Sequence, residues 1–562
     1  MASTETVTNG TSTTGGSSDV DYDALVIGAG FGGIRTLYEL GKRGFSARAF
    51  EAGSGVGGTW YWNRYPGART DSESWIYVLT FQEVLGLDWD WKERFPTQPE
   101  VEQYLNRVTD YLDLRRHIEL NTKITKAHWN PAKNVWEVTT SKGKTYTARF
   151  LITATGPLAT PLPPPFPGLE SFKGEWYQTG LWPKHKVDFA GKRVAVVGTG
   201  ATAVQVIPVV AHNAKSLTVF QRTPNFVLPA RNYPIPQDQQ MALRRECEAV
   251  LGRARTQSFG MDMVDATLKS TDLETDAEIQ RVLEFGWEIG GFRFIFETFA
   301  DMLTNAKCNE AAAEFVRNKI RSIVKDKKTA ELLCPYYTIL SKRPPLGHFY
   351  YEAFNRDNVE LVDVSNDPIQ AITPTGLRTG TKEYDFDMII FAVGFDAVTG
   401  TLAAIDIRGA EGQHLGEQLN RDMETAYGIT APGFPNLFMV SGPQAPFANI
   451  PVVIDNTVDW IGRAVSYMHD HGHQRMDTKE EVARHWKEQV EAVFGMTVLP
   501  EGAKKTHSWY VGANMEGKPV RPLFWFGGVA PYFAICDKEV SDGYPGFAFS
   551  SDQSSGAVQA RL

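Results

Sequence analysis

Two glycine-rich constellations offer the first chemistry in this sequence. The segment Gly28-Ala-Gly30-Phe-Gly-Gly33 follows an apolar run, Ala24-Leu-Val-Ile27, and precedes a helical stretch from Ile34 to Arg43. Strand, glycine turn and helix in that order make a phosphate cradle. Gly28 permits the tight turn, Gly30 lets the backbone approach a pyrophosphate, and Gly33 lets the helix pack close to the strand, with the helix N-terminus facing the anion. The next strand, Ser46 to Phe50, ends at Glu51, whose carboxylate can accept both hydrogen bonds of a ribose diol.

The arrangement recurs. Arg193-Val-Ala-Val-Val197 leads into Gly198-Thr-Gly200-Ala-Thr-Ala203, a helical stretch from Val204 to Ala211 and a strand, Leu217-Thr-Val-Phe220. Glu51 stands 23 positions after Gly28, and Gln221 stands 23 positions after Gly198. Here the acid is replaced and Arg222 follows. A carboxylate repels a ribose 2′-phosphate, whereas an Arg grips it with two hydrogen bonds. The first site therefore suits FAD and the second NADPH. Thr202 and Gln205, at the second turn and the helical turn after it, suit a pyrophosphate. Two such sites in one chain imply hydride transfer between nicotinamide and flavin.

These sites need elements to hold them. The pattern predicts an α/β fold: two Rossmann-like dinucleotide-binding domains with a helical insertion in the NADPH domain. The 562 residues exceed what one core accommodates. Phe150 to Gly156 and Asp387 to Phe395 are apolar runs with glycine turns, and they read as the crossings out of the FAD domain and back. Pro157 to Pro167 contains six prolines and reads as a stiff extended linker. From about Ile235 to Lys328 the pattern is helical. Phe292, Phe294, Phe296 and Phe299 cluster there, for a helix–helix core first and a cavity wall second. The expected division is a disordered tail at 1–20, an FAD-binding domain at 21–160 and 385–562, an NADPH-binding domain at 161–234 and 329–384, and a helical insertion at 235–328.

Composition narrows the function classes. A net charge of −9 argues against nucleic acid as a partner, since phosphate backbones need a basic field. There is no apolar run of about 18 residues, so no membrane span is expected. The four cysteines, Cys247, Cys308, Cys334 and Cys536, stand at neither metal nor redox spacing. They predict buried thiols in a reducing, cytoplasmic setting, and they exclude a disulfide reductase, which needs a close pair beside the flavin. The tract His469-Asp-His-Gly-His473 reads as a solvated helix end, and no metal site is expected. No coiled-coil segment stands out, and a monomer or weak oligomer is expected.

The remaining motifs carry a resemblance. Gly57-Gly58-Thr-Trp60…Tyr65-Pro-Gly67…Asp71 agrees with [A/G]GxWxxxx[F/Y]PGxxxD, the long motif of the type I Baeyer–Villiger monooxygenases. Phe172-Lys-Gly174…Trp182-Pro183 agrees with most of that family's fingerprint, FxGxxxHxxxW[P/D]. Lys342-Arg343-Pro344 and Ser508-Trp509-Tyr510-Val-Gly-Ala-Asn514 resemble further family segments. Gly442-Pro443…Pro446-Phe447-Ala-Asn449-Ile-Pro451 is similar to the cyclohexanone-monooxygenase branch in particular. The likeness runs from Asp23 to about Phe549. One position departs: the fingerprint His is Gln178 here. Gln donates and accepts hydrogen bonds but carries no charge. If the His joins domains by geometry, Gln substitutes; if it acts by charge, coupling of NADPH use to product falls.

The resemblance implies that NADPH reduces FAD, that the reduced flavin captures O₂ as a C4a-peroxyflavin, and that this anion attacks a ketone, cyclic ones foremost, to give an ester or lactone. Sulfide oxidation is an implied side activity. By resemblance Arg343 holds the peroxide anion and Asp71 orients it. A guanidinium stays protonated and suits that task, and Pro344 stiffens the segment. Lys342, Arg222 and Thr223 are implied at the 2′-phosphate, Gly58 in cofactor binding, Trp60 and Tyr77 beside the flavin, Trp509 on a loop that closes over the nicotinamide cofactor, and Phe447 in the substrate pocket. Two other readings stay open. A flavin-containing or N-hydroxylating monooxygenase is opposed by Arg343 and Trp182-Pro183. A non-oxygenating flavin redox module or uncoupled NADPH oxidase is supported by Gln178 alone.

Overall fold

The computed structural model describes residues 20–85 and 87–551. The expected tail lies, but for its last residue, outside them.

A sheet of eight strands is built on Tyr22–Ile27, which pairs in parallel with Ala47–Phe50 on one side and Thr145–Thr153 on the other. Ile118–Glu119 extends one edge, and the hairpin Ile124–Asn130 and Val135–Thr140 extends the other. Leu437–Met439 returns late in the chain to pair with Thr145–Thr153. Side chains alternate between faces along a strand. Ala24 and Val26 thus pack under Ile34 and Leu37 of the helix Phe31–Lys42 and under the long helix Ile450–Asp470. Leu25 and Ile27 face the opposite way, onto Trp129, Trp136 and Val138. A strand covered on both faces reads as an unbroken apolar run, which is why Ala24 to Ile27 is so plain in the sequence.

The second sheet has five strands, all in parallel pairs, in the order Val359–Asp363, Ser216–Gln221, Arg193–Val197, Met388–Phe391, Glu175–Gln178. Val194 and Val196 pack against Val204 and Ile207 of the helix Ala201–Asn213. Ala195 and Val197 face Phe172, Phe220 and Phe391. Both cradle helices begin three residues earlier than their apolar periodicity suggests, because Gly30 and Gly200 are themselves the N-caps.

One expected boundary needs correction. The division at 385 assigned Met388–Phe391 to the first unit, whereas its hydrogen bonds go to Arg193–Val197 and Glu175–Gln178. The return crossing therefore starts after Phe391. A buried apolar strand looks the same in either sheet, and only its partners decide. The two crossings pair with each other: Leu162 N donates to Gly394 O at 3.0 Å, Asp396 N to Thr160 O at 2.9 Å and Val398 N to Pro157 O at 2.7 Å.

Between 235 and 328 the described elements are helical, including Cys247–Thr256, Asp276–Ile289 and Ala306–Ile323. The phenylalanine cluster divides. Phe294 is wholly buried against Trp287 and Phe315, as a helix core requires. Phe296 stacks on Phe259 at 4.2 Å, on the side facing the first unit's Phe447.

Candidate cofactor and oxygenation site

The two glycine turns are built alike. Gly28 has φ +106°, and a Cβ there would lie 2.5 Å from Ala154 O; Gly198 has φ +111°, and a Cβ there would lie 2.5 Å from Ala392 O. Each first glycine thus rests on the carbonyl just beyond its neighbouring strand, Thr145–Thr153 or Met388–Phe391. The helices that follow have no side-chain cap on their N-termini, which leaves backbone N–H groups to an anionic ligand. In the first unit a second glycine pair closes the cradle: a Cβ on Gly58, at φ +54°, would come within 2.9 Å of Gly30 Cα. Gly33 packs so closely on Gly28 O that a Cβ would lie 2.0 Å away. These cramped, donor-lined turns fit the pyrophosphate of a dinucleotide.

Glu51 sits buried at the end of its strand. Its Oε2 accepts from Ala29 N at 2.9 Å and its Oε1 from Gly53 N at 2.7 Å. Burial raises the carboxyl above its usual range against the pull of those two N–H groups. Each oxygen keeps a lone pair that a ribose hydroxyl could use.

In the second unit Lys342 lies close enough to Arg222 for the two charges to oppose each other. Burial first, and Arg222 second, bring the Lys342 ammonium down to about 8. Two cations held together suit a dianionic phosphate. Thr223 joins this corner through its carbonyl, which accepts from Thr199 Oγ1 at 2.9 Å. Thr202 Oγ1 lies 3.1 Å from Thr179 Oγ1. Gln205 is buried on the helix Ala201–Asn213. Its Oε1 accepts from Tyr65 OH at 2.8 Å and its Nε2 donates to Arg69 O at 3.0 Å, so its amide ties the two units together beside the cradle.

Arg343 Nη1 lies 2.9 Å from Asp71 Oδ2, which joins the second unit to the first. The Asp71 side chain is 4% exposed and that of Arg343 is 35% exposed, so the pair is anchored at its acid end and open at its guanidinium. Burial lifts the Asp71 carboxyl, while Arg343 and the Leu346 N–H pull it down. Nearby, Trp60 Nε1 donates to Tyr77 OH at 3.3 Å, and burial pushes the Tyr77 hydroxyl up to about 12. Phe447 lies in an aromatic nest: Tyr510 at 4.6 Å, Phe526 at 5.2 Å, Phe524 at 5.6 Å, and Trp509 and Phe259 at 6.4 Å.

Residues 23–272 match the flavin-binding monooxygenase-like family. A Baeyer–Villiger monooxygenase of Pseudooceanicola batsensis is 39% identical over 529 residues, covering 93% of this chain and 95% of that protein. A cyclohexanone 1,2-monooxygenase of an Acinetobacter species is 38% identical over 534 residues, covering 94% and 97%. The solved structure of OTEMO in complex with FAD and NADP superposes with a TM-score of 0.91 at 38% identity, covering 95% of this chain and 100% of that one. The chain belongs to the Baeyer–Villiger monooxygenases.

In this Baeyer–Villiger monooxygenase the fingerprint segment forms the seam between the units. Phe172 packs in the second sheet's core, and a Cβ on Gly174 would lie 2.6 Å from both Asp387 O and the Phe172 ring. Trp182 shares a core with Tyr65 and Ala68 of the first unit and with Val204 and Ile207 of the second. Just past Pro183, Lys184 Nζ donates to Ser54 Oγ at 2.7 Å. Gln178 ends the edge strand and donates from Nε2 to Leu162 O, in the proline-rich crossing, at 2.6 Å.

Sequence reasoning missed three ties. Tyr65 reaches Gln205, as above. Glu73 forms a buried ion pair at 3.0 Å with Arg94, which also donates to Ile289 O at the end of an insertion helix. Lys518 pairs with Asp396. Each joins residues far apart in sequence, and no local pattern signals it. The tract His469 to His473 lies at the end of the helix Ile450–Asp470. Among the cysteines, Cys308, Cys334 and Cys536 are buried and Cys247 is half-buried. No described helix is long and apolar enough to cross a membrane.

Proposed function

We propose that this chain uses FAD and NADPH to insert one atom of O₂ beside the carbonyl of a ketone, cyclic ketones foremost, giving an ester or lactone with NADP⁺ and water. The observation that carries the reading is Arg343, open to the site and braced by buried Asp71 across the seam between the two dinucleotide units. Bound FAD, reduced by NADPH, supplies the electrons and the activated oxygen. The protein's residues do the rest. The guanidinium of Arg343 offers N–H donors and a cation to negative charge developing on oxygen. Asp71 fixes the orientation of that guanidinium. Glu51 holds the flavin nucleotide's ribose, with Gly28, Gly30, Gly33 and Gly58 at its pyrophosphate and Trp60 and Tyr77 beside its ring. Gly198, Gly200 and Thr202 hold the second pyrophosphate, and Lys342, Arg222 and Thr223 hold the 2′-phosphate. Phe447 and the Trp509 loop shape the ketone pocket and exclude water.

Each chain carries a whole site, so a monomer or weak oligomer suffices. Three buried free thiols suit a cytoplasmic setting, and the net charge of −9 suits a small-molecule substrate.

The test is a ketone panel under ¹⁸O₂, with NADPH consumption and labelled products measured together. A lactone bearing one ¹⁸O per NADPH supports the reading. In Arg343→Ala, NADPH oxidation should persist, product should fall by about 10²-fold or more, and H₂O₂ should account for the difference. Product formation that survives Arg343→Ala undiminished would overturn the role of Arg343, and NADPH loss to H₂O₂ with every ketone would overturn the reaction.

A further inference from the structure

The loop that carries Trp509 is fastened to the return crossing between the two units. Asn514 Nδ2 donates to Phe395 O at 2.9 Å. Lys518 forms an ion pair with Asp396 and donates to Thr399 Oγ1 at 3.0 Å. Leu523 and Phe524, where the loop ends, pack with Ala397 and Val398, and the half-buried Trp509 and Phe447 lie against the same cluster. Contacts from one loop therefore land on five consecutive residues, 395–399. Those residues follow the stretch by which the chain returns from the second unit, and they pair with the outward crossing at Pro157 to Leu162. The crossing is conformationally unusual as well. Gly394 has φ +90°, and Val398, a β-branched residue, is held at φ +66°.

The ion pair is sheltered, with the Lys518 and Asp396 side chains 17% and 18% exposed. Lower local polarity makes such a pair stronger than one in open solvent, and losing one partner leaves the other charge poorly solvated. Asn514 and Lys518 hold the loop by polar contacts at its far turn, and the apolar cluster holds its base.

We propose that Lys518 is a positioning residue: by pairing with Asp396 it fixes the Trp509 loop to the interdomain crossing, so that cover of the site and placement of the two cofactor units are set together. The proposal rests on the reading of Trp509 as part of that cover. Release of the pair frees the loop tip and removes a brace from the strained crossing. Water then reaches the site, and NADPH and O₂ are spent as NADPH + H⁺ + O₂ → NADP⁺ + H₂O₂.

Lys518→Met, Asp396→Asn and the double variant separate this from a merely local role. Hydrogen exchange of the FAD-bound enzyme with NADP⁺, and no ketone, is followed in peptides covering 508–523 and 394–400. Each single variant should exchange roughly tenfold faster in both peptides, and the double variant no faster than the worse single one. H₂O₂ released per NADPH should rise in the same order. Unchanged exchange at 394–400, or additive effects of the two substitutions, would overturn the proposal. If a single variant loses its flavin, the exchanged pair Lys518→Asp with Asp396→Lys serves instead: restored protection of both peptides supports the coupling, and loss of both with flavin retained refutes it. Exchange is read without ketone, so a failed ketone assignment leaves this result standing.

Discussion

Raising the pH should erode the preference for NADPH over NADH, and Lys342 sets where. Burial and Arg222 hold its ammonium at about 8. In the cofactor-free site it is then about nine-tenths charged at pH 7 and about one-tenth charged at pH 9. The cofactor's 2′-phosphate, with a second pKa near 6, is already a dianion across that range. The kcat/KM for NADPH should fall about tenfold between pH 7 and pH 9, whereas that for NADH, which lacks the phosphate, should not share the fall. Arg222, the second cation of the pair, preserves part of the preference. Lys342→Met should start near the low plateau and show no such slope. Stability has the matching sign. The folded pKa lies below the unfolded value near 10.5, so the unfolded chain binds more protons between pH 8 and 10.5, and stability rises with pH across that window. Below pH 8 the protein carries the full cost, about 3 kcal/mol, of holding that charge. Bound NADP⁺ offsets it, and the rise in Tm on adding NADP⁺ should be larger at pH 7 than at pH 9. Steady-state kinetics with both cofactors decide the matter: parallel pH profiles for NADPH and NADH, or an unchanged slope in Lys342→Met, would refute the placement of Lys342 at the phosphate.

Two further outcomes test the cradle and the seam. Glu51→Gln cannot accept from both Ala29 N and Gly53 N and turns a donor toward one of them, so FAD affinity should fall about 30- to 100-fold, measured by reconstituting the flavin-free protein. Gln178→Leu removes the donor to Leu162 O and should lower product formed per NADPH several-fold, whereas Gln178→His should keep that ratio flat from pH 6 to pH 8. A several-fold gain in Gln178→His at low pH would mean that charge, and not the hydrogen bond, is what this position contributes.

What could be read from the sequence was local. A phosphate cradle is a short-range demand: Gly28 must turn, Gly30 must admit a neighbour, Glu51 must end the next strand. All three conditions sit within one strand–turn–helix–strand unit, and the second unit repeats the two glycines to the same spacing, with Gln221 at the place of the acid. Arg343 and Asp71 were legible through resemblance, and they meet at 2.9 Å. Less legible are the contacts of residues whose partner lies on another segment. Gln205 stands in its turn where a pyrophosphate residue is expected, and its bonds to Tyr65 and Arg69 could not be read from that turn. Met388–Phe391 has the composition of any buried strand, and hydrogen bonding put it in the second sheet. Glu73 with Arg94, and Lys518 with Asp396, are paired across 21 and 122 positions respectively, beyond any helical or strand period. Gln178 shows why such seams resist sequence reading. Whether His or Gln is equivalent there depends on what the side chain meets. It meets a backbone carbonyl, at 2.6 Å, which asks for a donor and nothing more. A neutral amide and an imidazole both supply one, so the departure from the family pattern is compatible with an intact joint.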